Sequence, residues 1–169
     1  MLNCEKKKGL GILTAVCFGA LILSQLFNYF VFRMIPEGQS WKINSWFFLT
    51  HIRNHGGIFG VFQGKAWVFT SCSTVLLFFL IWYLVKSEHI KRFEFICFGF
   101  ILGGGFANVL DRIFYGSVID YFDIRGIPYW HYIFNMADVM IHIGLWSMIL
   151  FGYILPGKKN KHRDHAQQV

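Results

Sequence analysis

Leu10-Gly-Ile-Leu-Thr-Ala-Val-Cys-Phe-Gly-Ala-Leu-Ile-Leu-Ser-Gln-Leu-Phe-Asn-Tyr-Phe-Val-Phe32 runs for 23 residues without a charged side chain. A helix crosses a hydrocarbon core about 30 Å thick with about 20 apolar residues, so this stretch reads as a membrane span. Three more follow. Residues 66–85 carry no charge, 93–110 carry only Glu94 near their start, and 133–155 are apolar apart from Asn135, Asp138 and His142. The whole chain of 169 residues is 55% hydrophobic and 20% aromatic, above what soluble domains show. The expected fold is an all-α integral membrane protein with four transmembrane helices, forming one domain over 1–157.

Basic residues set the orientation. Lys6, Lys7 and Lys8 precede the first span, Lys86, Lys91 and Arg92 crowd the second loop, and Lys158, Lys159, Lys161 and Arg163 follow the fourth span. The two opposite loops share Arg33, Lys42, Arg53, Lys65, Arg112 and Arg125 over far more sequence. Both termini are therefore expected in the cytoplasm, with 158–169 as a basic cytoplasmic tail. This pattern explains most of the net charge of +7 and gives no reason to expect nucleic-acid binding. No small-x-small cleavage site follows the first span, which reads as an anchor and not as a removable signal. Cys4, Cys17, Cys72 and Cys97 all avoid the long loops, so packing is expected of them and not disulfides.

The first long loop, 34–65, is rich in aromatics. Residues 46–53 alternate like a strand, Asn54-His-Gly-Gly57 signals a turn, and Ile58-Phe-Gly-Val-Phe62 follows. A small β hairpin or cradle on the extracytoplasmic surface is expected there. In the third span, Gly99, Gly103, Gly104 and Gly105 permit close helix approach.

Ionisable groups at membrane depth cost roughly 2.5–3.5 kcal/mol each on insertion scales, and they usually face a protein interior or an aqueous site. Here they cluster. Asn108, Asp111 and Arg112 share one side of the outer end of span three, and Asn135 and Asp138 share the outer end of span four. Asp120 lies in the loop between and can fold back toward Asp138. Two carboxylates held together can share a proton and do acid–base work at neutral pH. Asp111 beside Arg112 also fits a simple ion pair at a helix end, and Asp123 fits a solvated loop carboxylate. His142, four residues after Asp138, lies one turn deeper on the same face; it is expected to pack or hydrogen-bond, and no metal or other cofactor is called for.

Gly104-Gly-Phe-Ala-Asn108-Val-Leu-Asp111-Arg112, Gly116-Ser-Val-Ile-Asp120 and Phe134-Asn135-Met-Ala-Asp138 resemble, in order and spacing, three motifs of the lipoprotein signal peptidases (signal peptidase II), bacterial intramembrane aspartyl proteases. Arg53-Asn54-His-Gly56-Gly-Ile-Phe59 resembles the family's first-loop motif, so the likeness covers nearly the whole chain. It implies that Asp120 and Asp138 are the catalytic pair, and that Asn54, Asn108, Arg112 and Asn135 line the site and contact substrate, with Asp111 and Gly104 in support. The implied substrate is a prolipoprotein whose cysteine already carries diacylglycerol, cut just before that cysteine by a monomer in the bacterial inner membrane, at its extracytoplasmic face. Where the family has an aspartate and a lysine in span one, this chain has Ser24 and Asn28. A non-cleaving membrane escort of lipoprotein precursors is the alternative.

Overall fold

The computed structural model describes residues 4–57 and 62–154. Helix α1 covers Cys4–Met34, strands β1 and β2 cover Ser40–Lys42 and Phe47–Asn54, and helices α2 and α3 cover Ala66–Lys86 and Arg92–Tyr115. Strands β3 and β4, Val118–Ile124 and Ile133–Phe134, lead into α4, Met136–Ile149, which widens into a π-helical turn over Leu150–Ile154. Among the described residues, α1, α2 and α3 are long and apolar enough to cross a membrane, and α4 is apolar but shorter. The expected start of the fourth span at 133 is corrected. Ile133 and Phe134 pair with β3 instead, and the helix begins only after Asn135. Span three is longer than expected, because helical geometry carries five residues beyond 110 to a left-handed stop at Gly116.

Helix α3 is the axis of the bundle because its glycines let neighbours approach. A Cβ at Gly99 or Gly103 would run into Leu13, Val16, Cys17 and Ala20 of α1. One at Gly104 would land on the Ala137 carbonyl of α4, and one at Gly105 on Leu77 of α2. Helices α1 and α4 thus pack at backbone range, as the glycine run predicts, while α2 inserts a side chain. Leu77, Leu84, Leu102 and Val109 fill the α2–α3 seam, while α2 turns Leu76, Phe78 and Phe79 outward, as a lipid-facing helix does. Ser24, fully buried, satisfies its hydroxyl on the Ala20 carbonyl of its own helix.

The sheet differs from the expected hairpin. Its order is β1-β2-β3-β4, all antiparallel, so it joins both long loops. The hairpin turn lies at 43–46, where Asn44 Oδ1 accepts from the Trp46 and Phe47 amides at 2.9 and 2.8 Å. Among the described residues β2 pairs with β1 on one side and β3 on the other; the expected strand over 58–62 lies, but for Phe62, outside the described residues, as do Phe59 of the first-loop motif and the tail. Between Leu49↔Phe122 and Ile52↔Asp120, β2 advances three residues and β3 two. That extra residue is a β-bulge, and it leaves Thr50 and His51 buried in succession.

Asp123 is corrected from solvated to buried. Thr50 Oγ1 donates to its Oδ2 at 2.7 Å, and Arg125 pairs with the same oxygen at 2.6 Å while lying over the Phe48 ring. Val31, Ile35, Ile119 and Tyr121 form a second core that clamps the sheet onto the end of α1.

Candidate active site

Helix α4 begins with a reciprocal cap. Asn135 Oδ1 accepts from the Asp138 amide at 3.0 Å, and Asp138 Oδ2 accepts from the Asn135 amide at 3.2 Å. The cap holds Asp138 at the helix N-terminus, where backbone donors and the helix dipole favour a carboxylate. Tyr121, fully buried on β3, accepts from the Met136 amide at 2.9 Å and pins that same helix start to the sheet.

Asp120 enters from β3, only 4% exposed. Its Oδ2 accepts from Asn54 Nδ2 at 2.9 Å and its Oδ1 from Asn135 Nδ2 at 2.8 Å. On α3, Asn108 Nδ2 donates to Asp138 Oδ1 at 3.0 Å, and Asn108 Oδ1 accepts from Asn135 Nδ2 at 3.2 Å. Asn108 and Asn135 thus form an amide bridge between the two carboxylates. Arg112 donates to the Asn108 carbonyl at 3.2 Å and the Gly56 carbonyl at 3.1 Å, which leaves its buried Nε without a partner among the described residues.

These six residues line one cavity of about 30 Å³, together with Gly57, Val118 and Tyr132. A water needs roughly 10–15 Å³ of such space and two to four polar partners. The cavity offers both, so it can hold a water between two carboxylates. Every residue expected to be catalytic or substrate-binding is therefore brought to one place.

Asp111 is not. It turns toward α1, where Gln25 Nε2 and Asn28 Nδ2 donate to its two oxygens at 2.9 and 2.6 Å. An ion pair with Arg112 is thereby corrected: two amides from α1 cover the carboxylate, and Arg112 is spent on backbone carbonyls. Asn28, uncharged where the resemblance leads one to expect a lysine, still reaches a carboxylate. Gly104 stands away from the cavity as the contact point between α3 and α4. His142 bonds through Nδ1 to the Asp138 carbonyl at 2.8 Å, on the same helix.

Two tyrosines escaped the sequence reading. Tyr132 lines both the small cavity and a groove of about 430 Å³ walled by Trp130, Phe134, Val139, Ile143 and Trp146. Asp138 and His142 also line this groove, so an apolar groove reaches one of the two carboxylates. Burial, with the two carboxylates adding to it, pushes the Tyr132 hydroxyl well above its ordinary pKa and keeps it neutral. Tyr121 is held neutral likewise, by burial first. Their signal lay only in their position flanking the Asp motifs.

Burial, then the charge of Asp138, pushes Asp120 up from 3.8 to about 7, against the Asn54, Asn135 and Arg112 contacts that lower it. The folded state therefore binds this proton more tightly than the unfolded chain. Its stabilising contribution is complete below about pH 4 and is lost as pH rises through about 7. Asp120→Asn is expected to flatten this fall, so that its Tm in detergent gains on the wild type between pH 5 and pH 8. An equal decline in both proteins would contradict a raised Asp120.

The sequence profile of the family described as signal peptidase (SPase) II matches residues 16–154. A lipoprotein signal peptidase of Fusobacterium nucleatum is 33% identical over 143 residues, covering 83% of this chain and 85% of its own length. One from Pasteurella multocida is 30% identical over 169 residues, covering 96% and 98%. Among solved structures, a bacterial membrane enzyme determined by the in meso method at 2.3 Å resolution superposes with a TM-score of 0.77. It is 25% identical, with 89% of this chain and 93% of that one covered.

Proposed function

This chain belongs to the signal peptidase II family and is a multi-pass membrane protease, and from that premise we propose that it is an aspartyl endopeptidase using Asp120 and Asp138. Its substrates are diacylglyceryl-modified prolipoproteins, cut just before the lipidated cysteine. The observation that carries this reading is the water-sized cavity lined by both carboxylates.

The pair holds one proton at neutral pH, because like charges so close do not both ionise easily. The ionised carboxylate takes a proton from the cavity water as its oxygen attacks the scissile carbonyl carbon. The protonated carboxyl gives its proton to the carbonyl oxygen. Collapse of the tetrahedral intermediate breaks the C–N bond: the carboxyl that took the water's proton gives it to the leaving amine of the cysteine, and the other recovers its proton from the intermediate's hydroxyl. Asn54, Asn108 and Asn135 hold the carboxylates, and Arg112 brings a fixed positive charge to the developing oxyanion. No cofactor enters this scheme. The groove along α4 suits the apolar part of the substrate, whose acyl chains contribute about 0.8 kcal/mol per buried CH₂ to membrane retention.

We place both termini in the cytoplasm and the sheet with its site at the extracytoplasmic face of the inner membrane. The working unit is a monomer built from one domain over 1–157.

Purified protein given a lipid-modified precursor should release a signal peptide ending at the residue before the lipidated cysteine, as read by mass spectrometry. Tight binding without cleavage would establish the escort reading instead. The rate has a further signature. The pair must keep one proton, so kcat should decline as pH rises above about 7, where Asp120 loses its own. A rate still climbing between pH 7 and pH 9 would rule out the shared proton.

A further inference from the structure

Strand side chains alternate between faces, and here the alternation separates two sites. Asn54 and Asp120 line the carboxylate cavity, whereas their neighbours Arg53 and Ile119, paired across β2 and β3, line a crevice of about 460 Å³ beside α1 and α3. The crevice lies on the reverse of the sheet from the proposed chemistry.

Its rim is cationic. Arg33 stands in the last turn of α1, exposed, with no ion-pair partner among the described residues. Arg53 gives Nε to Glu37 at 3.2 Å and Nη1 to Ser117 Oγ at 3.3 Å, and lies over Phe32. Its other guanidinium nitrogen makes no bond to the described residues. The walls are Tyr29, Phe32 and Tyr115, all at least half exposed on helices that face lipid. At 31 residues, α1 is about 46 Å long, well over the hydrocarbon thickness, so its last turn reaches headgroup level.

The floor holds an unmet acceptor. Five residues before Arg33, about 7.5 Å along the helix, Asn28 is 5% exposed. Its Nδ2 is committed to Asp111, and its buried Oδ1 has no partner. Buried polar atoms are nearly always paired, so one left over in a crevice wall marks a missing donor. Asp111 also lines the crevice, but Gln25 and Asn28 cover both its oxygens.

We infer that this crevice binds an anionic phospholipid with a glycerol headgroup. The phosphate sits between Arg33 and Arg53, the acyl chains descend along the aromatic walls, and a headgroup hydroxyl donates to Asn28 Oδ1. A free phosphate ester would use the arginines equally well but would leave the aromatic walls uncovered. Because Arg53 and Ile119 immediately neighbour Asn54 and Asp120, the lipid braces from behind the segment that presents those two residues. The bracing role rests on the peptidase reading; the binding does not.

The test is native mass spectrometry of the full chain released from nanodiscs holding equal phosphatidylglycerol and phosphatidylcholine. Phosphatidylglycerol should be retained preferentially. Arg33→Gln should cut that retention about fivefold, from the worth of one basic residue at an anionic surface, and Glu37→Gln should raise it by releasing Arg53. Both changes are at exposed side chains, which leaves the fold intact. Equal retention of the two lipids, or retention unchanged in Arg33→Gln, would overturn the site. Displacement by millimolar glycerol 1-phosphate would assign the arginines to a soluble phosphate and overturn the lipid. No step here needs cleavage, so an inactive protein that still selects the lipid would sink the peptidase reading alone.

Discussion

Asp120→Asn and Asp138→Asn should each lower the rate of precursor cleavage by about 10²–10⁴-fold, the range for removing a positioned acid–base group. Asparagine preserves the size of the side chain and one acceptor oxygen, so each variant should fold and still bind precursor. What it cannot do is take a proton from water or return one. On the proposed mechanism the carboxylates share a water and a proton, which makes them a unit. The double variant should therefore be little slower than either single one, far from the product of the two losses. A detergent assay with a lipid-modified precursor measures the rates, and a pull-down with the same precursor separates binding from turnover. Near wild-type turnover in either single variant would end the aspartyl reading.

The second large effect is structural in origin. Gly104→Ala adds one methyl group where the α4 backbone passes, against the Ala137 carbonyl and the Ile141 side chain. Replacing an interior helical glycine by alanine gains up to about 1 kcal/mol in helix propensity. Overpacking costs about 1–3 kcal/mol, and backbone has less room to yield than a side chain. The clash wins. Since Ala137 directly precedes Asp138, α4 can escape only by carrying Asp138 away from Asn108, whose bond is 3.0 Å. Tm should fall by several degrees, and kcat should fall more than KM rises. Gly11→Ala is the control: nothing lies within 4 Å of its added carbon, so propensity alone acts and Tm should hold or rise slightly. If both variants behave alike, close packing at Gly104 is not what seats Asp138.

Apolar runs and glycine spacing made α1, α2 and α3 legible in the sequence, because burial in lipid and close helix approach each leave a local compositional mark. The residues around the cavity were legible for a different reason. Polar groups are conspicuous inside apolar sequence, and Asn108, Asn135 and Asp138 have few other uses there. What escaped was non-local. β2 pairs with β3 some 70 residues on, as in Asn54↔Val118, and no local pattern announces that partner. Asn54-His-Gly-Gly57 had the composition of a turn, and β2 ends at Asn54 where that signal begins. β4 is two residues long and hides within the apolar lead into α4. Asp123 was misjudged and the ion pair weighed for Asp111 did not form, since their partners, Thr50 and Gln25 with Asn28, come from distant segments.

The bulge in β2 has a genetic consequence. It already absorbs one extra residue, so losing Thr50 or His51 would restore a plain ladder with Asn54 still on the face of Asp120. Gaining one is different. Side chains alternate with a period of two, so a further residue between Leu49 and Ile52 would exchange the faces of everything after it. Arg53 would then share the face of Asp120 and Asn54 that of the reverse crevice, with a guanidinium in place of an amide donor. Insertions in natural relatives should therefore fall in the turn at 43–46, where the chain only reverses, and spare the stretch from Leu49 to Asn54.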